Sequence, residues 1–179
     1  MEIKRKKITQ KEIFSTEQKF AQDITEICDR KNDAFLAFGY ELDLEFGQKE
    51  NEHQETFDAL SDDETKKFDP GYISRAMITV KRQKTDAEKQ EDEARREENL
   101  SLIESCETEQ EAEQLSDDET LRNAENEEKR SVAFTRVMLV RSYKSFWTEW
   151  ISLGENLDQL EADLDEFLEA LRQKQEEIL

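Results

Sequence analysis

The chain has 179 residues, of which 46 are Asp or Glu and 26 are Lys or Arg, giving a formal net charge of -20. Its hydrophobic share is 35%, below the ~45–50% of an ordinary globular chain. Four glycines and one proline are few for the tight turns of sandwiches, barrels and nucleotide-binding α/β folds. This composition predicts an all-α protein of long helices, arranged as a bundle or an extended hairpin.

The same arithmetic narrows the chemistry. One histidine and two cysteines leave little material for a metal centre. Cys28 and Cys106 each lack a C-x-x-C neighbour, and a structural zinc needs four N or S ligands. A di-iron carboxylate bundle needs two Glu-x-x-His pairs. His53 stands in the polar run from Glu50 to Glu55 and reads as an exposed bystander. No dinucleotide fingerprint, P-loop or nucleophile elbow is present. The expectation is a protein without enzymatic activity, metal or cofactor.

No apolar run approaches the ~18 residues of a membrane span, and Met1 to Ile8 lack the apolar segment of a secretory signal. A cytoplasmic protein is expected. Lys4-Arg5-Lys6-Lys7 would also allow nuclear import in a eukaryote.

In chain order, residues 1–69 read as an N-terminal helical region. Thr9 with Glu12, and Ser15 with Gln18, have capping-box spacing. Ile13, Phe20, Ile24, Ile27, Phe35, Phe38 and Leu42 then form one helical face. Glu41 to Phe46 alternate with period two, which permits a strand, although continued helix is the expected outcome. Asp69-Pro70-Gly71 is a turn.

Residues 70–130 read as a helix followed by an acidic connector. The helix is expected from near Tyr72, with Ile73, Ala76, Met77 and Val80 on one face. Residues 72–84 contain four basic side chains and no acidic one, whereas residues 86–130 hold eighteen acidic and six basic. The latter fit a solvated helix or a flexible connector equally well.

Residues 131–179 read as a C-terminal amphipathic, coiled-coil-like helix. Tyr143, Trp150, Leu157, Leu164, Leu171 and Ile178 recur every seven residues. Phe146 or Trp147, Leu153, Leu160 and Phe167 interleave with them. That is an a/d register, and it nominates Tyr143, Trp147, Trp150, Leu157, Leu160, Leu164, Phe167 and Leu171 as a helix-packing seam. Residues 152–179 carry nine acidic and two basic side chains, so a parallel homodimer would set like charges together. The seam is expected to prefer a basic helix, in this chain or in a partner.

Two internal echoes stand out. Leu60-Ser61-Asp62-Asp63-Glu64-Thr65 recurs as Leu115 to Thr120, and Ile73-Ser74-Arg75-Ala76-Met77-Ile78 resembles Phe134-Thr135-Arg136-Val137-Met138-Leu139. Ser61 and Ser116, each three residues before a Glu, fit an acid-directed kinase. They also fit a capping box that would start helices near Asp62 and Asp117. The acid cluster at Asp62 fails as a calcium loop, because Lys66 and Lys67 fall where an oxygen ligand and a glycine belong.

The reading of function is a protein–protein interaction or structural subunit, of scaffold or assembly-factor type, that binds a basic protein or its own copies through helices. The alternative is an acidic mimic of nucleic acid that occupies a basic site on a DNA-handling protein. Direct binding to nucleic acid or to a membrane is not expected, because the net charge repels phosphate.

Overall fold

The computed structural model of the chain describes residues 2–4, 10–49, 72–106, 108–144 and 149–176. Nine elements follow in order: β1 (Glu2–Lys4), α1 (Gln10–Leu36), β2 (Tyr40–Lys49), β3 (Ile73–Arg82), α2 (Asp86–Ser105), α3 (Glu109–Arg130), β4 (Ser131–Lys144), β5 (Glu149–Glu155) and α4 (Leu157–Glu176). The strands form one antiparallel sheet in the order β1-β5-β4-β3-β2. The protein is therefore mixed α and β, and the all-α expectation is overturned.

The correction falls on three stretches. The alternation of Glu41 to Phe46 belongs to β2, paired with β3 throughout its length. The helix expected from Tyr72 is β3, whose buried side chains recur at every second position: Ser74, Ala76, Ile78 and Val80. The single C-terminal helix is two strands and a helix, so the heptad register persists as a helical seam only from Leu157 onward. The scarcity of glycine and proline misled because two connections of this sheet run through helices rather than tight turns. β3 reaches β4 through the two helices α2 and α3, and β1 reaches β2 through α1.

Helix α1 turns its apolar stripe to the sheet, burying Ile13, Ile24, Cys28 and Phe35. It ends where Phe38 and Gly39 donate their N–H groups to the carbonyls of Phe35 and Leu36. Gly39 takes φ +81° there, a conformation that costs an L residue about 1 kcal/mol or more. Helix α4 lies on the same sheet face. Leu160, Leu164 and Leu171 are buried, Leu157 and Phe167 pack against them, and all meet Ala76, Ile78, Val80, Val137 and Leu139 of the sheet. Burying each such leucine contributes about 1.5–3 kcal/mol. Lys31 Nζ to Asp165 at 2.6 Å, with Arg30 to Glu161, joins the two helices at their rim.

A second, smaller cluster holds Ile13, Tyr72, Val140, Ile151 and Leu153. At its edge Gly154 has φ +62°, and a Cβ there would stand 2.8 Å from the Phe20 ring. The close approach of α1 to β5 at this point requires glycine.

Candidate interaction site

Among the described residues two surfaces lie outside the core. The first is the α2–α3 hairpin. α2 has no buried residue and α3 has one, Arg130. The helices form because their residues favour helix and because both are capped. Thr85 and Glu88 make a reciprocal capping box at the start of α2, and the Thr108 side chain accepts from Glu111 N–H at the start of α3. The Thr-x-x-Glu spacing at Thr85 was readable in the sequence and marks where the acidic segment becomes ordered helix. Polar contacts join the two helices. Arg95 bridges Asp92 and Asn123, and Asn99 donates to Glu119.

The hairpin is fastened to the sheet at its base by ion pairs. Lys81 Nζ contacts Asp43 of β2 at 2.5 Å and Glu127 of α3 at 3.0 Å. Lys84 contacts Asp92 at 2.8 Å and Glu127 at 3.2 Å. Arg82 grips Glu88 with both terminal nitrogens, at 2.6 and 2.9 Å. Arg130 joins Glu41 and Glu127 and donates through Nε to the Arg82 carbonyl. Burial disfavours the Lys81 charge, yet Asp43 and Glu127 outweigh it and hold the pKa above the usual lysine value. Hydrogen bonds from Arg82 and Thr85 hold Glu88 well below the carboxylate range. Asp92 is lowered chiefly by Lys84. Burial raises Glu127, but Lys81 and Lys84 prevail and lower it.

Beyond this base the hairpin offers acid studded with leucine. Leu121 is 65% exposed, and Asp117, Asp118 and Glu125, three or four residues away, share its face. Leu100 and Leu102 are also exposed.

The second surface is the sheet face opposite α1 and α4. Alternation sends Arg75 and Met77 of β3, and Phe134, Arg136 and Met138 of β4, to this side. In register, Arg75 lies opposite Met138, and Met77 lies opposite Arg136. The echo between residues 73–78 and 134–139 thus becomes a diagonal checkerboard of two arginines and two methionines on adjacent strands. Phe134 is 57% exposed, with the Arg136 guanidinium 5.2 Å from its ring centre. Arg75 extends alongside Gly47, which has no side chain to crowd it. Among the described residues neither arginine forms an ion pair, and the same face also carries Asp43 and Glu45 of β2, opposite Thr79 and Met77, and Glu155 of β5, opposite Met138. No acidic residue occurs anywhere in β3 or β4.

The nominated seam divides between these regions. Leu157, Leu160, Leu164, Phe167 and Leu171 close the core and face the sheet. Tyr143 and Trp150 are cross-strand neighbours on β4 and β5. Trp147 and Ser61 lie outside the described residues. Ser116 is exposed in the interior of α3, with its carbonyl accepting from Thr120. It caps nothing, because α3 starts from Thr108.

One buried polar cluster remains. Glu17 of α1 accepts from the Tyr72 hydroxyl at 2.6 Å and from Ser74. Burial raises its pKa, although both hydroxyls oppose that rise. Burial also lifts the Cys28 thiol to about 11, with Asp29 adding to the effect, which leaves it a weak nucleophile. Among the described residues no group of His, Cys, Asp and Glu is arranged to hold a metal ion, and no helix is long and apolar enough to cross a membrane. The chain matches no family model, no curated protein and no solved structure.

Proposed function

We propose that this chain is a non-enzymatic interaction or structural subunit of the cytoplasm, with the α2–α3 hairpin as the element that reaches its partner. The observation that carries this reading is the hairpin itself. Two helices of 20 and 22 residues extend about 30 Å each and contribute no apolar side chain to the core. Joining β3 to β4 needs only a two-residue turn, so the remaining length answers to something outside the fold. Its net acidity selects a basic surface, and Leu100, Leu102 and Leu121 supply apolar contact within it.

A photo-crosslinking amino acid at Leu121 or Leu100, compared with one at Glu169 on α4, tests the reading in cells that make the protein. Cross-links to a discrete protein band from the hairpin positions, and none from Glu169, are expected. Equal behaviour at all three positions would remove the hairpin from this role. Cross-links to nucleic-acid-handling enzymes alone would favour the mimic over the structural subunit.

A further inference from the structure

We infer that the α2–α3 hairpin is a hinged arm, that Glu127 locks it to the body, and that rising ionic strength unlocks it. The inference rests on the interaction reading above and adds a control on the direction in which the arm points.

The joint between arm and body is made of charge. Within residues 86–92 and 124–130, the side chains withdrawn from water are Glu88, Asp92, Asn126, Glu127 and Arg130, whereas Ala87 and Ala124 are exposed. Among the described residues the hairpin thus brings no apolar side chain to its base. Such a joint gains nothing from the hydrophobic effect, so its stiffness depends on hydrogen bonds and ion pairs.

One carboxylate links the parts of this joint. Glu127 of α3 contacts Lys81 of β3 at 3.0 Å, Lys84 of the β3–α2 link at 3.2 Å, and Arg130 at the end of its own helix at 2.8 Å. Each of these cations also holds a second carboxylate: Lys81 holds Asp43, Lys84 holds Asp92, and Arg130 holds Glu41. Removing the Glu127 charge therefore leaves none of the three unpaired. It breaks the ties from the shaft of α3 to β3 and to the root of α2, and spares the rest.

Pivot and lever follow from the geometry. The roots of the hairpin are held at the backbone: Arg130 Nε donates to the Arg82 carbonyl at 2.8 Å, and the Gln83 N–H donates to the Gly39 carbonyl at 2.9 Å. Along α3, Glu127 lies about 4.5 Å from Arg130, whereas Glu109 at the far end lies about 31 Å away. A loosening of about 1 Å at the lock becomes about 7 Å at the tip. Glu127 and Lys84 are 33% and 32% exposed, so salt reaches their pair. The screening length falls from ~10 Å at 0.1 M to ~3 Å at 1 M, which is close to the separation of the paired charges.

Spin labels on the native Cys106, beside the hairpin tip, and on Glu169→Cys of α4 test this in the full chain, through the arm-to-body distance read by double electron–electron resonance. Cys28 is buried, with its thiol pKa raised to about 11, and resists labelling. Wild type is expected to give one narrow distance distribution at about 0.1 M salt, broadening by about 5 Å or more at about 1 M. Glu127→Gln is expected to be broad at both concentrations. Glu128→Gln removes the charge of an exposed neighbour and is expected to behave as wild type. Unchanged circular dichroism separates a swinging arm from an unfolded one.

A wild-type distribution that stays narrow in high salt would overturn the inference, and so would one already broad in low salt. Glu127→Gln as narrow as wild type, or Glu128→Gln as broad as Glu127→Gln, would overturn Glu127 as the lock. If Glu127→Gln fails to fold, the salt response of wild type decides alone. The measurement involves no partner. A rigid arm that still cross-links from Leu121 leaves the interaction reading standing, and a swinging arm that cross-links to nothing removes that reading by itself.

Discussion

The sheet with α1 and α4 is held by what it hides, whereas the α2–α3 hairpin is held by what it pairs. In the first region Leu160, Leu164, Ile24 and Phe35 reach zero exposure, and the apolar surface withdrawn from water supplies the stability. In the second, the helices rest on residue propensity, two caps and the ion pairs of Lys81, Lys84, Arg82 and Arg130. Exposed helices of this length are marginal in water without tertiary packing. The contrast teaches that one chain can reserve its apolar residues for one half and build the other half from charge. The charged half stays free to be covered by something else.

The largest effect that sharpens this contrast is a carboxylate placed in each half. Leu164→Asp sets an unpaired charge into the closed core and is expected to cost more than about 4 kcal/mol. Leu121→Asp is expected to change stability by about 0.5 kcal/mol or less. Chemical denaturation of both variants, in dilute solution, reads the difference. Comparable losses would mean that the hairpin is as packed as the body.

A smaller effect is expected at Gly154. Gly154→Val combines a positive φ with a Cβ inside the Phe20 ring contact, at a cost of about 2–4 kcal/mol. The urea midpoint should fall, while the helicity of the hairpin survives into higher denaturant or is lost separately. A variant as stable as wild type would show that α1 can shift away from β5.

The smallest effect separates the two regions by pH. Glu17 has a raised pKa in the folded protein, so the native state holds its proton between the usual value of 4.5 and the raised one. Stability therefore falls as pH climbs through that interval. Glu88, Asp92 and Glu127 have lowered values. Their contribution is complete above the usual carboxylate range and is lost as pH drops through the lowered values. Wild type is expected to be most stable near the ordinary carboxylate pKa. Glu17→Gln should flatten the decline on the alkaline side and leave the acidic side unchanged. Urea midpoints from about pH 4 to about pH 8 would check this, and an unaltered alkaline slope would rule out the Glu17 assignment.

These elements were unequally legible in the sequence. The stripe of α1 was plain, because Ile13, Ile24, Cys28 and Phe35 keep helical spacing and all face one way. The stretch from Leu157 to Leu171 was legible for the same reason. Strand β3 was hidden because its buried series begins with Ser74 and Ala76, whereas Ile73 and Met77 stand on the open face. Together Ile73, Ala76, Met77 and Val80 imitate a helical face. Strand β4 carries apolar groups on both sides, with Phe134 and Met138 outward and Val137 and Leu139 inward, so it shows no alternation. The seven-residue spacing of Tyr143, Trp150 and Leu157 runs from one strand through another into a helix and follows no single surface. The open face could not be read from composition at all. It follows only from strand pairing, which lays Arg75 beside Met138 and Met77 beside Arg136.

Strand β1 has a consequence for the order of events in folding. Its three residues pair with β5, so they must wait until Glu149–Glu155 have been synthesised. The β3–β4 pair closes around a hairpin that forms from neighbouring residues, in microseconds or less for its helices. The middle of the sheet can therefore form first on the ribosome, and the edge last. Loop closure between distant segments is the slow, entropically costly step. Until it is complete, β5 presents a free strand edge, the surface through which a nascent chain is most prone to aggregate.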